Sequence, residues 1–249
     1  MFIRPRYPRS IPRIRYRPFA KKTVQAPQDE ALAQDVQETS YVPEPEDFEP
    51  TPQKPKGPLN RFPSKSHAKT ALLFYLFFLL MSFVFWDTTF RDQLWLTKRS
   101  ILEDHEYWRL FTAVMIHANL AHFLSNGPLF LIFGWFLRAF FGRLAFPVVS
   151  FLIGALANLV TIYFYDLDVQ LLGASGMVYA MVAMWLVLYI RFDVDYSILV
   201  RSMRAIGFSL IIMFPTTFQP NTSYLSHAAG FILGLIVAVL MLPFVKVSA

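Results

Sequence analysis

Residues 174–191 read ASGMVYAMVAMWLVLYIR, an apolar run of 18 residues in which only the last one is charged. This length approaches the roughly 20 residues that a helix needs to cross the hydrocarbon core of a bilayer. Polar and apolar residues do not alternate along the run, so a helix is favoured over a strand of a membrane barrel. The segment therefore predicts a membrane-spanning helix.

Similar apolar runs lie on both sides of this segment. Of the 249 residues, 55% are hydrophobic and 17% are aromatic, a composition that few soluble domains reach. The predicted fold class is all-α, a polytopic membrane protein with a bundle of six transmembrane helices. The fifth run is the shortest and contains Pro215. The five other predicted spans, in addition to 174–191, lie at about 69–86, 121–141, 144–165, 203–219 and 225–245.

The first 66 residues differ from the apolar remainder. Met1–Lys22 is basic, and residues 26–58 are acidic and rich in proline. Such a composition cannot bury enough apolar surface to offset the entropy of ordering the chain. We therefore predict a disordered cytoplasmic tail at 1–66 and a six-helix membrane domain at 67–249. The tail is interpreted as a solvated tether, with contact between its basic block and anionic lipid headgroups as the alternative.

The net charge of +6 comes from basic residues whose positions are typical of membrane topology. They are not arranged as in a nucleic-acid interface. Eight of the 23 basic residues lie within Met1–Lys22, and most others stand at the ends of apolar runs. The loops at 166–168 and 217–224 contain no Lys or Arg, so the positive-inside rule places both termini in the cytoplasm. We expect a multi-pass protein of a bacterial inner membrane, in contact with the lipid bilayer and with no nucleic acid.

The stretch Gly173-Ala174-Ser175-Gly176 comes directly before an apolar helix. Ser175 is therefore expected at a helix N-terminus, where free backbone N–H groups and the helix dipole favour developing negative charge. The flanking glycines would permit a sharp turn and close approach of another backbone. An ordinary serine N-cap with glycines for packing explains the same pattern equally well.

His227 opens the sixth span, on the same predicted side of the membrane as Ser175. A neutral imidazole there could accept the proton of a serine hydroxyl. Gly230 and Gly234 form a face of small residues that would let the sixth and fourth helices approach closely. Taken alone, a histidine that caps the helix or lies at the lipid interface is the simpler interpretation.

His122 and Asn126 are four residues apart on the second span and share one face of the helix. Both side chains could donate hydrogen bonds to the oxyanion of a tetrahedral intermediate. Hydrogen bonds that only hold helices together are the alternative.

Several other chemistries are excluded by residue types. The chain has no cysteine, which rules out disulfides, thiolate metal sites and cysteine nucleophiles. No His-Glu-x-x-His motif is present, and no pair of aspartates lies within the apolar runs. No metal and no organic cofactor is therefore expected.

Together these motifs resemble the rhomboid family of intramembrane serine proteases. The resemblance extends from about Trp108 to the end of the sixth span, with the order and spacing of the family. The matching stretches are Glu106-Tyr107-Trp108-Arg109, His117 with His122 and Asn126, Gly173-Ala174-Ser175-Gly176, and His227-Ala228-Ala229-Gly230 with Gly234.

The resemblance implies roles for the central residues. Ser175 would be the nucleophile and His227 the general base of a two-residue dyad, with His122 and Asn126 as oxyanion donors. Tyr179 would pack on the His227 ring.

The resemblance also implies supporting roles. Gly173 and Gly176 would support the nucleophile from either side. His117, Trp108 and Arg109 would stabilise structure and take no part in the chemistry.

The resemblance further implies that the partners are transmembrane protein substrates, which enter beside the fifth span. A catalytically inactive relative that binds transmembrane clients is the alternative. Arg138 stands where many family members carry an acidic residue. This departure concerns a polar network at the end of the second span, far from Ser175.

Overall fold

A computed structural model of the chain describes Leu59 and residues 63–87, 89–213 and 222–244. The chain divides into two units after Pro52, and the first lies wholly outside the described residues. Most of the predicted tail and the end of the predicted fifth span also lie outside them. Within the described residues the secondary structure is helical, apart from one isolated β-bridge.

The first long helix, α1 (Lys65–Trp86), begins four residues before the apolar run that predicts it. Ser64 caps its N-terminus by accepting a hydrogen bond from the Ser66 N–H. One face of α1 packs on the bundle through Phe78 and Phe85, whereas leucines such as Leu73 are exposed on the other.

Three short helices follow in the segment between α1 and the second long helix. They are α2 (Arg91–Leu94), α3 (Lys98–Leu102) and α4 (Arg109–Met115). Leu96 in this segment forms an antiparallel bridge with Leu171, at N···O distances of 3.1 and 2.8 Å. The bridge attaches the segment to the loop that precedes Ser175.

The next helical stretch contains two helices and a sharp turn. Helix α5 (Leu120–Arg143) leads into a π-helical turn at Leu144–Val149, and α6 (Ser150–Tyr163) follows. Gly142 has φ +81°, a conformation that only glycine adopts readily, and Phe146 is extended. These two residues interrupt the helix close to where the sequence predicts the boundary between the second and third spans.

Three helices complete the bundle: α7 (Ser175–Phe192), α8 (Ile198–Met213) and α9 (Tyr224–Met241). Helix α8 begins five residues before the predicted fifth span. Arg201 lies outside the predicted span 203–219, because it was interpreted as a charge at the end of an apolar run. In the structure Arg201 lies in α8 and donates to the backbone carbonyl oxygens of Ile190 and Asp193 at the end of α7. A cation is favourable at a helix C-terminus, which explains the earlier start.

Four helical stretches of the described chain are long and apolar enough to cross a membrane. Over the residues that the structure describes, the chain is therefore that of an all-helical membrane protein. The stretches are Lys65–Trp86, Leu120–Tyr163, Ser175–Phe192 and Tyr224–Met241.

Helix α7 is the centre of the bundle. Ten of its 18 residues are buried, and they lie on all sides of the helix. It packs most extensively on α9, and glycines make this contact close. A Cβ built on Gly230 would lie 2.1 Å from the Gly176 carbonyl oxygen, and one on Gly234 would lie 2.5 Å from that of Ala180. The small-residue face predicted at Gly230 and Gly234 thus lies against Gly176 and Ala180 of α7.

Candidate active site

A cavity of about 450 Å³ lies at the end of the bundle where α5, α7 and α9 begin, here called the site end. Side chains from all three helices meet there, although they are far apart in sequence. The cavity is lined by Ala118, His122, Tyr165, Val169, Gln170, Leu171, Leu172, Ser175, Thr222, Ser223 and His227. Ser175, His227 and His122 thus line one cavity.

Ser175 is the first residue of α7, as the sequence predicts. The preceding Ala174 is its N-cap residue and has no side-chain acceptor. The first N–H groups of α7 therefore have no side-chain cap. The N–H of Gly173 donates to the Ala113 carbonyl at 2.8 Å and fixes the approach to the helix.

Gly173 is needed for two separate reasons. Its φ of +117° is unfavourable for any residue with a side chain. A Cβ at this position would also lie 2.8 Å from Cε1 of His122. The absence of a side chain therefore lets the His122 ring lie directly against the turn that precedes Ser175.

His117 supports this turn from behind. The Ser82 hydroxyl donates to the Phe78 carbonyl at 2.8 Å, so its oxygen is free to accept from Nδ1–H of His117, 3.2 Å away. The other ring nitrogen, Nε2, accepts from the Ala174 N–H at 3.3 Å. Burial, together with the proximity of His122, lowers the pKa of His117 to about 3, which keeps the ring neutral. Both ring nitrogens are occupied, as a structural role requires.

His227 lies in the first turn of α9, and its ring packs flat on that of Tyr179. The two ring centroids are 4.3 Å apart and the planes differ by 12°. Tyr224 contacts the same imidazole edge-on at 5.9 Å. The Tyr179 hydroxyl, at the far end of its ring, donates to the Ile212 carbonyl of α8 at 3.2 Å.

The start of α9 is fixed by a contact that the sequence analysis missed. Ser223 caps α9 by accepting from the Ser226 N–H, and its hydroxyl also lies 2.6 Å from that of Tyr165. Tyr165 and Ser223 both line the cavity. The two residues are 58 positions apart, and neither belongs to a recognisable motif, so no signal in the sequence links them.

Asn126 lies one turn deeper on α5 than His122. It is 8% exposed, and its Nδ2 donates to the His122 carbonyl at 3.2 Å. Asn126 is not among the residues that line the cavity.

Gly176 lies on the other side of Ser175 and faces α9. A Cβ on it would lie 2.9 Å from the Ser226 hydroxyl oxygen. Gly176 therefore provides close packing between α7 and α9 beside the cavity.

A family model described as "Rhomboid domain" matches residues 104–244, which is more than half of the chain and includes every residue that lines the cavity. The chain belongs to the rhomboid family. It is 31% identical over 81 residues to a Bacillus subtilis (strain 168) protein named "Putative rhomboid protease YdcA". This match covers 32% of the chain and 41% of the relative, so the chain spans about two fifths of that relative's length.

The remaining rhomboid motif, Glu106 to Arg109, lies in the segment before α5. Arg109 is largely buried, pairs with Glu106 and donates to the carbonyl oxygens of Asp92 and Trp95. The Arg109 guanidinium therefore holds several parts of this segment together. Arg109 does not line the cavity.

A second ion pair joins the same segment to the loop before Ser175. Arg99 donates to both carboxylate oxygens of Asp168, at 2.7 and 3.1 Å. This pairing holds the pKa of the Asp168 carboxyl below its usual range.

Arg138 lies in α5, near the end opposite the cavity. Its Nε is buried and has no hydrogen-bond partner among the described residues. Within the part of the chain that the structure describes, Arg138 thus has no acidic partner.

Proposed function

We propose that this rhomboid is a serine endopeptidase that cleaves transmembrane segments of membrane proteins inside the bilayer. Ser175 is the nucleophile and His227 the general base. The observation that carries the proposal is the single cavity at the site end, which Ser175, His227 and His122 line together. A serine at an uncapped helix N-terminus, an imidazole and a further donor are the groups that acyl transfer needs.

The proposed reaction has two steps. In the first, the Ser175 oxygen attacks the scissile carbonyl while the His227 imidazole takes the hydroxyl proton. Collapse of the tetrahedral intermediate breaks the C–N bond, and His227 gives that proton to the leaving amine. In the second, water attacks the acyl-enzyme, His227 takes a proton from it and returns one to Ser175, and a carboxylic acid product leaves.

His122, Asn126 and the N–H of Ser175 would stabilise the oxyanion in both steps. The contact between His122 and Gly173 supports this role because it holds the His122 ring beside the turn before Ser175. The Asn126 amide donates to the His122 carbonyl in this structure. Its role therefore requires one of its two N–H groups to turn towards the oxyanion.

Tyr179 supports the base. No carboxylate orients His227 in the proposed dyad, so the stacked Tyr179 ring at 4.3 Å would restrict its orientation instead. Gly173 and Gly176 support the nucleophile by admitting close contacts on both sides of Ser175.

The proposed topology has six spans with both termini in the cytoplasm, in a bacterial inner membrane. The turn between Gly142 and Phe146 supports two spans within the 44-residue stretch Leu120–Tyr163. Helix α8, with 16 residues, is proposed as a further short span.

Substrates are proposed to enter beside α8. An apolar groove of about 440 Å³ lies between α5 and α8, open along the side of the bundle. Such a groove suits the apolar side chains of a transmembrane helix. It is lined by Leu129, Ile132, Phe133, Phe136, Trp185, Leu186, Tyr189, Arg204, Ala205 and Phe208.

The proposal is tested with a fluorophosphonate probe, which reacts covalently with activated serines. We expect labelling of the purified protein, and its loss in Ser175→Ala and in His227→Asn. Ser209→Ala and His105→Asn are the matched controls, since Ser209 lies on α8 and His105 is exposed outside the cavity. Both controls should label like the wild type.

A folded wild-type protein that fails to label would contradict the proposal. That result would instead favour a rhomboid relative that binds transmembrane clients without cleaving them.

A further inference from the structure

A groove lies between α1 and α5 at the end of the bundle opposite the site end. The two helices are antiparallel. The Tyr75 hydroxyl donates to the Phe123 carbonyl near the start of α5, whereas the Trp135 indole donates to the Ser64 carbonyl just before α1. The start of α1 therefore lies beside the last turns of α5, away from the cavity. The groove has a volume of about 320 Å³ and is open along the side of the bundle.

One part of the groove lining is apolar. It is formed by Leu72 of α1 and by Leu131 and Ile132 of α5. Leu72 is 47% exposed and Ile132 is 45% exposed, so other residues of the bundle do not cover this surface. In a bilayer such a surface contacts acyl chains, and a groove contacts one chain over a larger area than a flat helix face does.

The other part of the lining is basic. Lys65 and Lys69 stand one turn apart at the start of α1, and both line the groove. Both are exposed, and no described residue forms an ion pair with either. Trp135 lines the groove at the same level, and tryptophan is typical of the membrane interface. The lysines therefore lie between the apolar part of the groove and the end of the bundle, where lipid headgroups are expected.

Arg138 extends the basic part of the groove onto α5. It follows Trp135 by three residues, so the two positions share one face of the helix. The Nε of Arg138 is buried and has no hydrogen-bond partner among the described residues. A guanidinium nitrogen can only donate, and a buried donor without an acceptor is unfavourable. An anionic acceptor beside Arg138 would remove this cost.

We propose that the groove between α1 and α5 binds one anionic phospholipid. Its phosphate accepts hydrogen bonds from Lys65, Lys69 and Arg138, and one of its acyl chains lies against Leu72 and Ile132. An anionic headgroup is favoured over a zwitterionic one, because the described lining contains no carboxylate that could pair with a positively charged headgroup. A lipid is favoured over free phosphate, because most of the lining is apolar.

The location of the groove agrees with this ligand. The proposed topology places this end of the bundle at the cytoplasmic leaflet, which carries the anionic lipids. The inference uses the proposed topology but not the proposed catalysis. Lipid binding measured in detergent depends on neither, so the lipid site and the proposed function can fail independently.

Native mass spectrometry of the full chain, released from detergent micelles, tests the choice of lipid. The protein is titrated with phosphatidylglycerol or with phosphatidylcholine of the same acyl chains, and the Kd of the first bound lipid is compared. We expect phosphatidylglycerol to bind more tightly. Equal affinity for the two lipids would overturn the assignment of an anionic ligand.

The basic part of the groove is tested by removing its charges. Lys65→Gln with Lys69→Gln should weaken phosphatidylglycerol binding about 25-fold, and Arg138→Gln about fivefold, since each cation beside an anionic headgroup contributes about a factor of five. Arg143→Gln with Arg191→Gln is the charge-matched control, because both residues are exposed in the last turns of α5 and α7 and do not line the groove. The control should bind like the wild type. An equal loss in the control would show a general attraction to surface charge and would overturn the site.

The apolar part is tested without any change of charge. Ala68 lines the groove, so the ring of Ala68→Phe should occupy the space of the acyl chain and weaken phosphatidylglycerol binding. Leu73→Phe is the control, because Leu73 is 66% exposed on α1 and does not line the groove. Glycerol phosphate, which has no acyl chain, should not displace the lipid. Wild-type affinity in Ala68→Phe, or displacement by glycerol phosphate, would overturn the acyl-chain contact.

Discussion

At the scale of single residues, His117 shows how one side chain joins three parts of the protein. Its ring connects Ser82 of α1 to the Ala174 N–H just before Ser175, from a position between α4 and α5. The contact with the Ala174 N–H requires the neutral ring, because Nε2 must accept there. The pKa of His117, lowered to about 3 by burial, is consistent with this state.

The lowered pKa of His117 predicts a pH dependence of stability. Between the ordinary histidine pKa of about 6.5 and about 3, the unfolded chain binds a proton that the folded protein does not. The free energy of unfolding should therefore fall as pH is lowered through this range. His117→Gln retains a donor and an acceptor but cannot titrate, so the slope of Tm against pH should be smaller. Thermal unfolding in detergent from pH 7 to pH 4 measures it.

Other titrating groups are common to both proteins in this comparison, so only the difference in slope is attributed to His117. Equal slopes would show that His117 titrates in the fold as it does in the unfolded chain.

At the scale of elements, the contact between α7 and α9 sets the distance between Ser175 and His227. Gly230→Ala would place a Cβ 2.1 Å from the Gly176 carbonyl oxygen. This oxygen belongs to the backbone and cannot move aside as the end of a flexible side chain could. We expect α9 to move away from α7, with a loss of stability of about 1–3 kcal/mol. Fluorophosphonate labelling should also fall, because a displaced His227 activates Ser175 less well, and each loss of about 1.4 kcal/mol of transition-state stabilisation lowers the rate tenfold.

Ile232→Ala is the control, because Ile232 is on α9 but 55% exposed on its outward face. It should keep both Tm and labelling close to wild type. A Gly230→Ala protein with unchanged labelling would show that the helices are not required to approach this closely.

At the scale of the whole molecule, the proposed six spans place the loop before Ser175 and the loop between α7 and α8 on opposite sides of the membrane. Single cysteines at Asp166→Cys and Ser197→Cys, both at exposed positions, test this in a chain that has no cysteine of its own. In intact bacterial cells, a membrane-impermeant maleimide should label the first and not the second.

Permeabilised cells should show labelling of both cysteines. Equal labelling of the two in intact cells would contradict the arrangement, and labelling of Ser197→Cys alone would reverse it.

Much of the fold could be predicted because apolar runs of this length have few alternatives. The starts of α5, α7 and α9 lie within one residue of the predicted spans, since each coincides with a change from polar to apolar sequence. The start of α8 was wrong by five residues. Arg201 resembles a loop charge in the sequence, and only the position of the α7 C-terminus explains why it lies inside a helix.

The sequence by itself determined the membrane class and most of the helices, because hydropathy is a local property. It also predicted, from motif spacing, the residues that the chemistry would need. Only the tertiary structure decided which of these residues meet. The cavity shared by Ser175, His227 and His122, the bond from Tyr165 to Ser223 and the bond from Tyr179 to Ile212 all join separate segments. Such contacts follow from how close two helices can pack, which depends on the side chains of both at once.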